Sequence, residues 1–145
     1  MSVFSWPVRV YWEDTDGGGV VFYANYLRFL ERSRTEWLRA LGYSQEALAR
    51  EAGILFTVVE LSIAYRKPAR LDDQLSVTCE PRMDGAASLR FAQRIFREEP
   101  GETADAPERA GRSLLVEADV RVACVDAKTF RPRRVPGFVV SAVRA

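Results

Sequence analysis

Val8, Val10 and Trp12 alternate with Arg9, Tyr11 and Glu13, a period of two that predicts a strand with one face inward. From Tyr26 the period changes. Tyr26, Leu30, Ser33, Trp37 and Leu41 recur at helical spacing, Leu27 and Leu38 widen the stripe, and Arg28, Arg32, Glu36 and Arg39 fall opposite. Arg32 and Glu36 are spaced for an i,i+4 ion pair. Gly42 suits the position after a helix end, so the helix is expected to stop at about Leu41. Ser44 then caps a short helix from Gln45 to about Glu51, closed by Gly53.

Phe56 to Tyr65 reads as a second strand with Val59, Leu61, Ile63 and Tyr65 on one face. Leu75, Val77 and Cys79 mark a third strand, and Leu89, Phe91 and Ile95 a fourth, with a hairpin turn at Met83-Asp-Gly-Ala86 between them. The polar stretch from Glu98 to Arg112, broken by Pro100-Gly101 and Pro107, predicts a mobile excursion. Val116, Ala118, Val120, Val122 and Cys124 give a fifth strand, Arg131 to Pro136 is extended, and the last residues form a short turn of helix. One strand, a long apolar-striped helix and four strands in hairpin-like succession predict an α+β domain over residues 1–145, its antiparallel sheet wrapped around the helix.

Composition narrows the chemistry. Of 145 residues 48% are hydrophobic, enough for one real core. No apolar run reaches membrane-span length and the first residues lack a secretory pattern, so a cytoplasmic protein with no membrane span is expected. A net charge of +1 gives no argument for nucleic acid. There is no histidine, which removes Ser-His and Cys-His nucleophiles, His bases and His-containing zinc sites. Cys79 and Cys124 have no metal-ligand spacing and are expected to be reduced core thiols. No metal or cofactor is expected, and chemistry falls to carboxylates, hydroxyls, amides and arginine.

The stretch best suited to that chemistry joins the first strand to the helix. Asp14 and Asp16 precede Gly17-Gly-Gly19, an apolar run leads from Val20 to Tyr23, and Asn25 stands where it can cap the helix. A carboxylate is thereby delivered near a helix N-terminus, whose N–H groups favour developing negative charge. Counted from Asp14 as an EF-hand loop, the twelfth position is Asn25 rather than Glu, and no Gly-Lys-Ser/Thr follows the glycines, so calcium and phosphate loops fail. Asp16 is either a turn residue capping its own loop or a nucleophile or general base. Asp14 suits a structural role. Glu31 is either a solvated helix charge or a second carboxylate facing the site. Lys128, Arg131, Arg133 and Arg134 form a basic cluster that is either solvated surface or a holder of phosphates.

The run from Trp6 to Tyr26, followed by Glu31-Arg-Ser-Arg-Thr-Glu36, resembles the hotdog-fold acyl-CoA thioesterases, in particular their Tol–Pal-associated branch. Pro68-Ala-Arg-Leu-Asp-Asp73, Ser88 to Ile95 and Arg131 to Pro136 extend the resemblance over nearly the whole chain. It implies a five-stranded sheet around the central helix, homodimers with a continuous sheet that pair into homotetramers, and active sites between subunits. By resemblance to the 4-hydroxybenzoyl-CoA thioesterases, Asp16 is the catalytic carboxylate and the Tyr23 N–H polarises the thioester carbonyl. Asn25 fixes the helix end, Gly19, Val20, Val21 and Phe22 line the substrate, and Arg131 and Arg133 are candidates for the CoA phosphates. Two departures stand out. Tol–Pal-branch members commonly carry His where this chain has Tyr23, and the family's basic hairpin is reduced to Arg82. The implied activity is hydrolysis of an acyl-CoA, or an acyl-carrier-protein thioester, to the free acid. A hotdog dehydratase depends on a histidine this chain lacks. A non-catalytic acyl-CoA or acyl-carrier-protein binder is the alternative, and it has no need of Asp16.

Overall fold

A computed structural model describes residues 3–99 and 112–144. Strand β1 (Phe4–Arg9) leads through a single 3-10 turn (Trp12–Asp14) and the glycine turn into helix α1 (Asn25–Ala40). A short α2 (Gln45–Ala47) continues as a π-turn (Leu48–Ala52). Then follow β2 (Ile54–Tyr65), β3 (Gln74–Met83), β4 (Ser88–Glu98), β5 (Arg112–Asp126) and α3 (Gly137–Arg144). The five strands form one antiparallel sheet in the order β1-β3-β4-β5-β2, leaving β1 and β2 as its edges.

The helix lies across this sheet. Tyr26, Phe29, Leu30, Ser33 and Leu38 are buried along it, and burying a side chain such as Phe29 stabilises by about 1.5–3 kcal/mol. Two polar side chains tie helix to sheet. Ser33 Oγ donates to the Val77 carbonyl (2.9 Å), and the buried Gln93 gives its Nε2 to the carbonyls of Leu30 (3.1 Å) and Thr78 (3.2 Å). Gly42 follows the helix at φ 98, the left-handed conformation expected of it, and Ser44 Oγ accepts from Ala47 N–H (3.1 Å) as the cap of α2.

The core divides in two along the helix. Val8, Val10, Phe29, Leu75, Val77 and Ile95 belong to the cluster at the N-terminal end of α1; Leu38, Ile54, Leu89, Phe91, Val120 and Val139 belong to the cluster at its C-terminal end. Cys79 and Cys124 are free, buried thiols within the second cluster.

Several expectations are corrected. The first strand ends at Arg9 and not at Trp12, because the chain turns at Trp12–Asp14 and leaves Trp12 exposed. Leu27 lies outside the buried stripe and Phe29, one turn from Tyr26 on the other side, lies within it. Glu36 pairs with Arg39, i,i+3, rather than with Arg32. The regular face expected of Val59 to Tyr65 is interrupted by a bulge between Val58 and Glu60, and Val59, Leu61 and Tyr65 are exposed on the sheet edge. Of the excursion expected from Glu98 to Arg112, residues 100–111 lie outside the described residues, while Glu98 and Arg112 pair as the ends of β4 and β5.

Candidate active site

The glycine turn is held by its own backbone and by Asp14. The buried Asp14 carboxylate accepts the Tyr11 N–H (2.8 Å), and its carbonyl accepts both the Phe22 N–H (3.0 Å) and the Asn25 side-chain amide (2.8 Å). Asp16 N–H donates to the Val20 carbonyl (3.0 Å), Val21 N–H to Ala69 (2.9 Å) and Leu71 N–H to Gly19 (3.2 Å). Gly17 and Gly19 have φ of 86 and 93, where a side chain is strained. Asn25 does not cap α1: Ala24 occupies that position without a side-chain hydrogen bond, and Asn25 instead reaches back to pin the turn.

This frame leaves Asp16 exposed. One carboxylate oxygen accepts the Gly18 N–H at 2.6 Å, so the loop-capping role is present, and the other oxygen has no protein partner among the described residues. A Cβ at Gly18 would stand 3.0 Å from the same oxygen, so a larger residue there crowds the carboxylate. The Phe22 carbonyl accepts from Asn25 N–H (2.8 Å), into the helix. In a planar trans peptide the N–H points opposite to the C=O, so the Tyr23 N–H faces out of the helix start. It meets no acceptor among the described residues. Tyr65, at the end of β2, donates its hydroxyl to the Tyr23 carbonyl (2.9 Å) and packs edge-on against Tyr26 with ring centres 5.4 Å apart.

Asp16, Gly19, Val20, Val21, Phe22, Tyr23 and Asn25 thus form one hydrogen-bonded turn. Arg131 and Arg133 do not join them in the same chain. They flank Asp126, which pairs with Ile54 at the start of β2, whereas Tyr65 at its far end pairs with Val116 beside Tyr23. Eleven strand steps separate those ends, about 36 Å at the usual rise. Arg133 is engaged by Asp126 (3.0 Å), whose carboxyl is held below the usual range by the N–H groups of Thr129 and Lys128 and by Arg133 itself. Arg131 is exposed with no carboxylate within reach among the described residues.

Between the middle of α1 and the sheet lies a cavity of about 280 Å³ whose apolar walls are Trp37, Leu38, Phe56, Leu89, Phe91 and Val122. Glu31, Arg34, Gln45, Thr57 and Val58 complete it. Burial pulls the Arg34 guanidinium below its ordinary value, with Glu31 opposing that shift. Nothing in the residue pattern announces this chamber: Leu89, Phe91 and Val122 read as ordinary core positions, and Arg34 as one more charge. Its sole hint is Arg34 standing between the stripe positions Ser33 and Trp37. Glu31 faces the cavity and donates nothing; its carboxylate accepts from Thr35 Oγ1 (2.9 Å).

A strand sheet wrapped over one long helix, with a carboxylate turn at the helix start, is the architecture of the hotdog thioesterases. A 1,4-dihydroxy-2-naphthoyl-CoA thioesterase from Synechocystis superposes with a TM-score of 0.82 over 99% of this chain and 96% of that one, at 22% identity. A probable thioesterase from Bartonella henselae gives 0.78 at 32% identity, covering 93% and 100%. Residues 18–104 match the Thioesterase superfamily. The acyl-CoA thioester hydrolase YbgC of Escherichia coli O6:H1 is 44% identical over 97% of this chain and 95% of its own length, and the acyl-CoA thioesterase YbgC of Haemophilus influenzae 42% over 96% and 93%. The chain belongs to the thioesterase superfamily and is an acyl-CoA thioesterase.

Proposed function

We propose that this single thioesterase domain cleaves its substrate with Asp16, and that the Tyr23 N–H receives the charge developing on the carbonyl oxygen. The observation that carries the reading is an exposed carboxylate with one oxygen unpartnered, in the same turn as a helix start with N–H groups, that of Tyr23 among them, that meet no acceptor among the described residues. Either Asp16 attacks the thioester carbon, expelling CoA thiolate and leaving an anhydride that water opens, or it takes a proton from water that attacks the same carbon. In both courses the oxygen becomes negative, and a fixed N–H at a helix start stabilises it. Asn25 and Asp14 act by holding that N–H in place, and Gly19 to Phe22 present the backbone past which the pantetheine arm runs.

The phosphates are the province of a second subunit in this reading. β1 is a short edge bearing Pro7, which has no N–H to give, whereas β2 is a twelve-residue edge exposing Val58, Val59 and Leu61. Two β2 edges pairing antiparallel about an axis near Val59–Glu60 set Tyr65 opposite the partner subunit's Ile54. The partner's Arg131 and Arg133, and the mouth of its cavity, then stand beside Asp16 and Tyr23. A homodimer is the minimum active unit, pairing into a homotetramer, and acyl-carrier-protein thioesters bear the same pantetheine arm as CoA. Reduced buried thiols suit a cytoplasmic setting, and the Tol–Pal-branch motif suggests a place beside that envelope system.

Hydrolysis of a panel of aliphatic and aromatic acyl-CoA and acyl-carrier-protein thioesters, followed by thiol release, tests the reading. Asp16→Asn keeps the volume and hydrogen bonding of the turn, and kcat should drop by at least roughly 10²-fold with KM little changed. Retention of more than about a tenth of the wild-type kcat would remove Asp16 from the reaction and turn attention to Glu31. Light scattering showing a stable micromolar monomer would break the shared site.

A further inference from the structure

Four arginines among the described residues are not exposed: Arg34, Arg90, Arg97 and Arg121. Three of them meet carboxylates. Arg90 bonds Asp119 (2.7 Å), Arg97 bonds Glu99 (3.1 Å) and Arg121 bonds Asp84 (2.9 Å). Arg34 meets none within 4.0 Å among the described residues. Its one protein hydrogen bond runs from Nη1 to the Gln93 Oε1 (2.9 Å).

That bond is a built support. Gln93 is buried, and both donors of its amide are spent on the Leu30 and Thr78 carbonyls, which fixes its oxygen toward Arg34. A locked amide therefore holds a guanidinium at the wall of a cavity with both polar and apolar walls, with one of its five N–H donors used by protein. A half-buried charge whose one hydrogen bond is to a neutral amide is costly, Glu31 three residues back offsets that cost only from a distance, and an anion brought to it adds paired, charge-assisted hydrogen bonds. Arginine's planar fork suits a carboxylate better than any other acyl substituent of that size. Glu31, the other charge on the wall, is exposed, lies one helical turn nearer the start of α1 and is engaged by Thr35.

We propose that Arg34 is a specificity residue that reads a carboxylate at the far end of the acyl chain, so that the preferred substrates are dicarboxylic acyl-CoA monothioesters. The proposal rests on the composite site described for the dimer, in which the cavity receives the acyl group of a thioester held at Asp16 and Tyr23 of the partner subunit. A chamber of about 280 Å³ is nearly twice the roughly 150 Å³ that admits benzene, room for a six-carbon chain and its terminal carboxylate.

The test compares adipyl-CoA with hexanoyl-CoA, equal in length and differing in the terminal group. Wild-type kcat/KM should favour adipyl-CoA by about tenfold or more. Arg34→Met should remove that preference by lowering adipyl-CoA turnover while hexanoyl-CoA changes less than about threefold, and Arg34→Lys should retain part of it. Equal loss on both substrates, or a wild-type preference for hexanoyl-CoA, overturns the proposal and leaves Arg34 a support for Gln93. Ketone analogues of the two thioesters, which cannot be hydrolysed, give the same comparison as calorimetric affinities. If no thioester is cleaved, the catalytic reading fails, and the calorimetric ratio still decides Arg34: about tenfold tighter adipyl binding supports it and equal binding overturns it. The wild-type arm needs no variant to fold.

Discussion

The two ends of α1 use similar apolar material to opposite effect. At the N-terminal end Val8, Val10, Phe29 and Val77 pack closed beneath the glycine turn, and Ala69 N–H even donates to the buried Tyr26 hydroxyl (2.9 Å). At the C-terminal end Leu38, Leu89, Phe91 and Val122 surround an open chamber. A filled core holds the acidic turn from beneath; an unfilled one leaves room for a guest. In the proposed reading chemistry sits on the filled end and selectivity on the hollow one, so that the carboxylate turn rests on packed side chains while the acyl group finds its volume elsewhere.

The sharpest way to break that contrast is the same substitution at both ends. Val77→Phe forces a ring into a closed core and should destabilise by about 1–3 kcal/mol, whereas Val122→Phe extends into existing space and should change stability by less than about 1 kcal/mol. Val122→Phe should instead raise KM for six-carbon and longer acyl groups. Thermal denaturation and a chain-length series measure the two effects, and equal destabilisation would mean the chamber is not available volume.

A smaller effect tests whether the filled end works by alignment. Tyr65→Phe deletes the hydroxyl that holds the Tyr23 carbonyl while keeping the ring against Tyr26. A kcat lowered about fivefold with KM and melting temperature nearly unchanged is expected, the equivalent of about 1 kcal/mol. A lowered melting temperature at full kcat would make Tyr65 a packing residue only.

Much of this was legible in the chain. Gly42, Ser44 and the Asp84-Gly85 turn mark element ends by local chemistry, and Asp84 N–H does close the hairpin on Ser88 (2.9 Å). The turn around Asp16 was marked by its glycines. What could not be read depends on contacts remote in sequence. Asn25 looks like a cap because caps are local, yet its partner is the Asp14 carbonyl, eleven residues back. Trp12 looks inward by alternation, but alternation does not say where a strand stops. The chamber is a property of volumes that fail to fill, and no single residue carries that signal. Arg34 becomes legible only after Gln93 is known to be locked.

An effect that vanishes at neutral pH belongs to Cys79, buried near the hollow end. Burial pushes its thiol up to about 12, despite the attraction of Arg34. The unfolded thiol ionises near about 8.5, so between that value and about 12 the unfolded chain has lost a proton that the folded one keeps. Stability is therefore unaffected by this group at neutral pH and falls as pH rises through that window. Cys79→Ala should flatten the alkaline limb of a denaturant-stability profile, apart from a constant packing loss. An unchanged limb would assign it to other groups.

The placement of the three indoles makes the two ends separately visible. Trp37 is half-buried on the cavity wall with its ring 5.6 Å from Phe91, while Trp12 stands two-thirds exposed on the turn before Asp16 and Trp6 on β1 is partly open to water. Emission from a shielded indole lies to the blue of emission from a hydrated one, so a single spectrum contains one colour from each end. An acyl group entering the chamber should alter the blue component, and a ligand at the acidic turn the red. With Trp6 replaced by Phe, the protein becomes a two-channel optical recorder of which end is filled first.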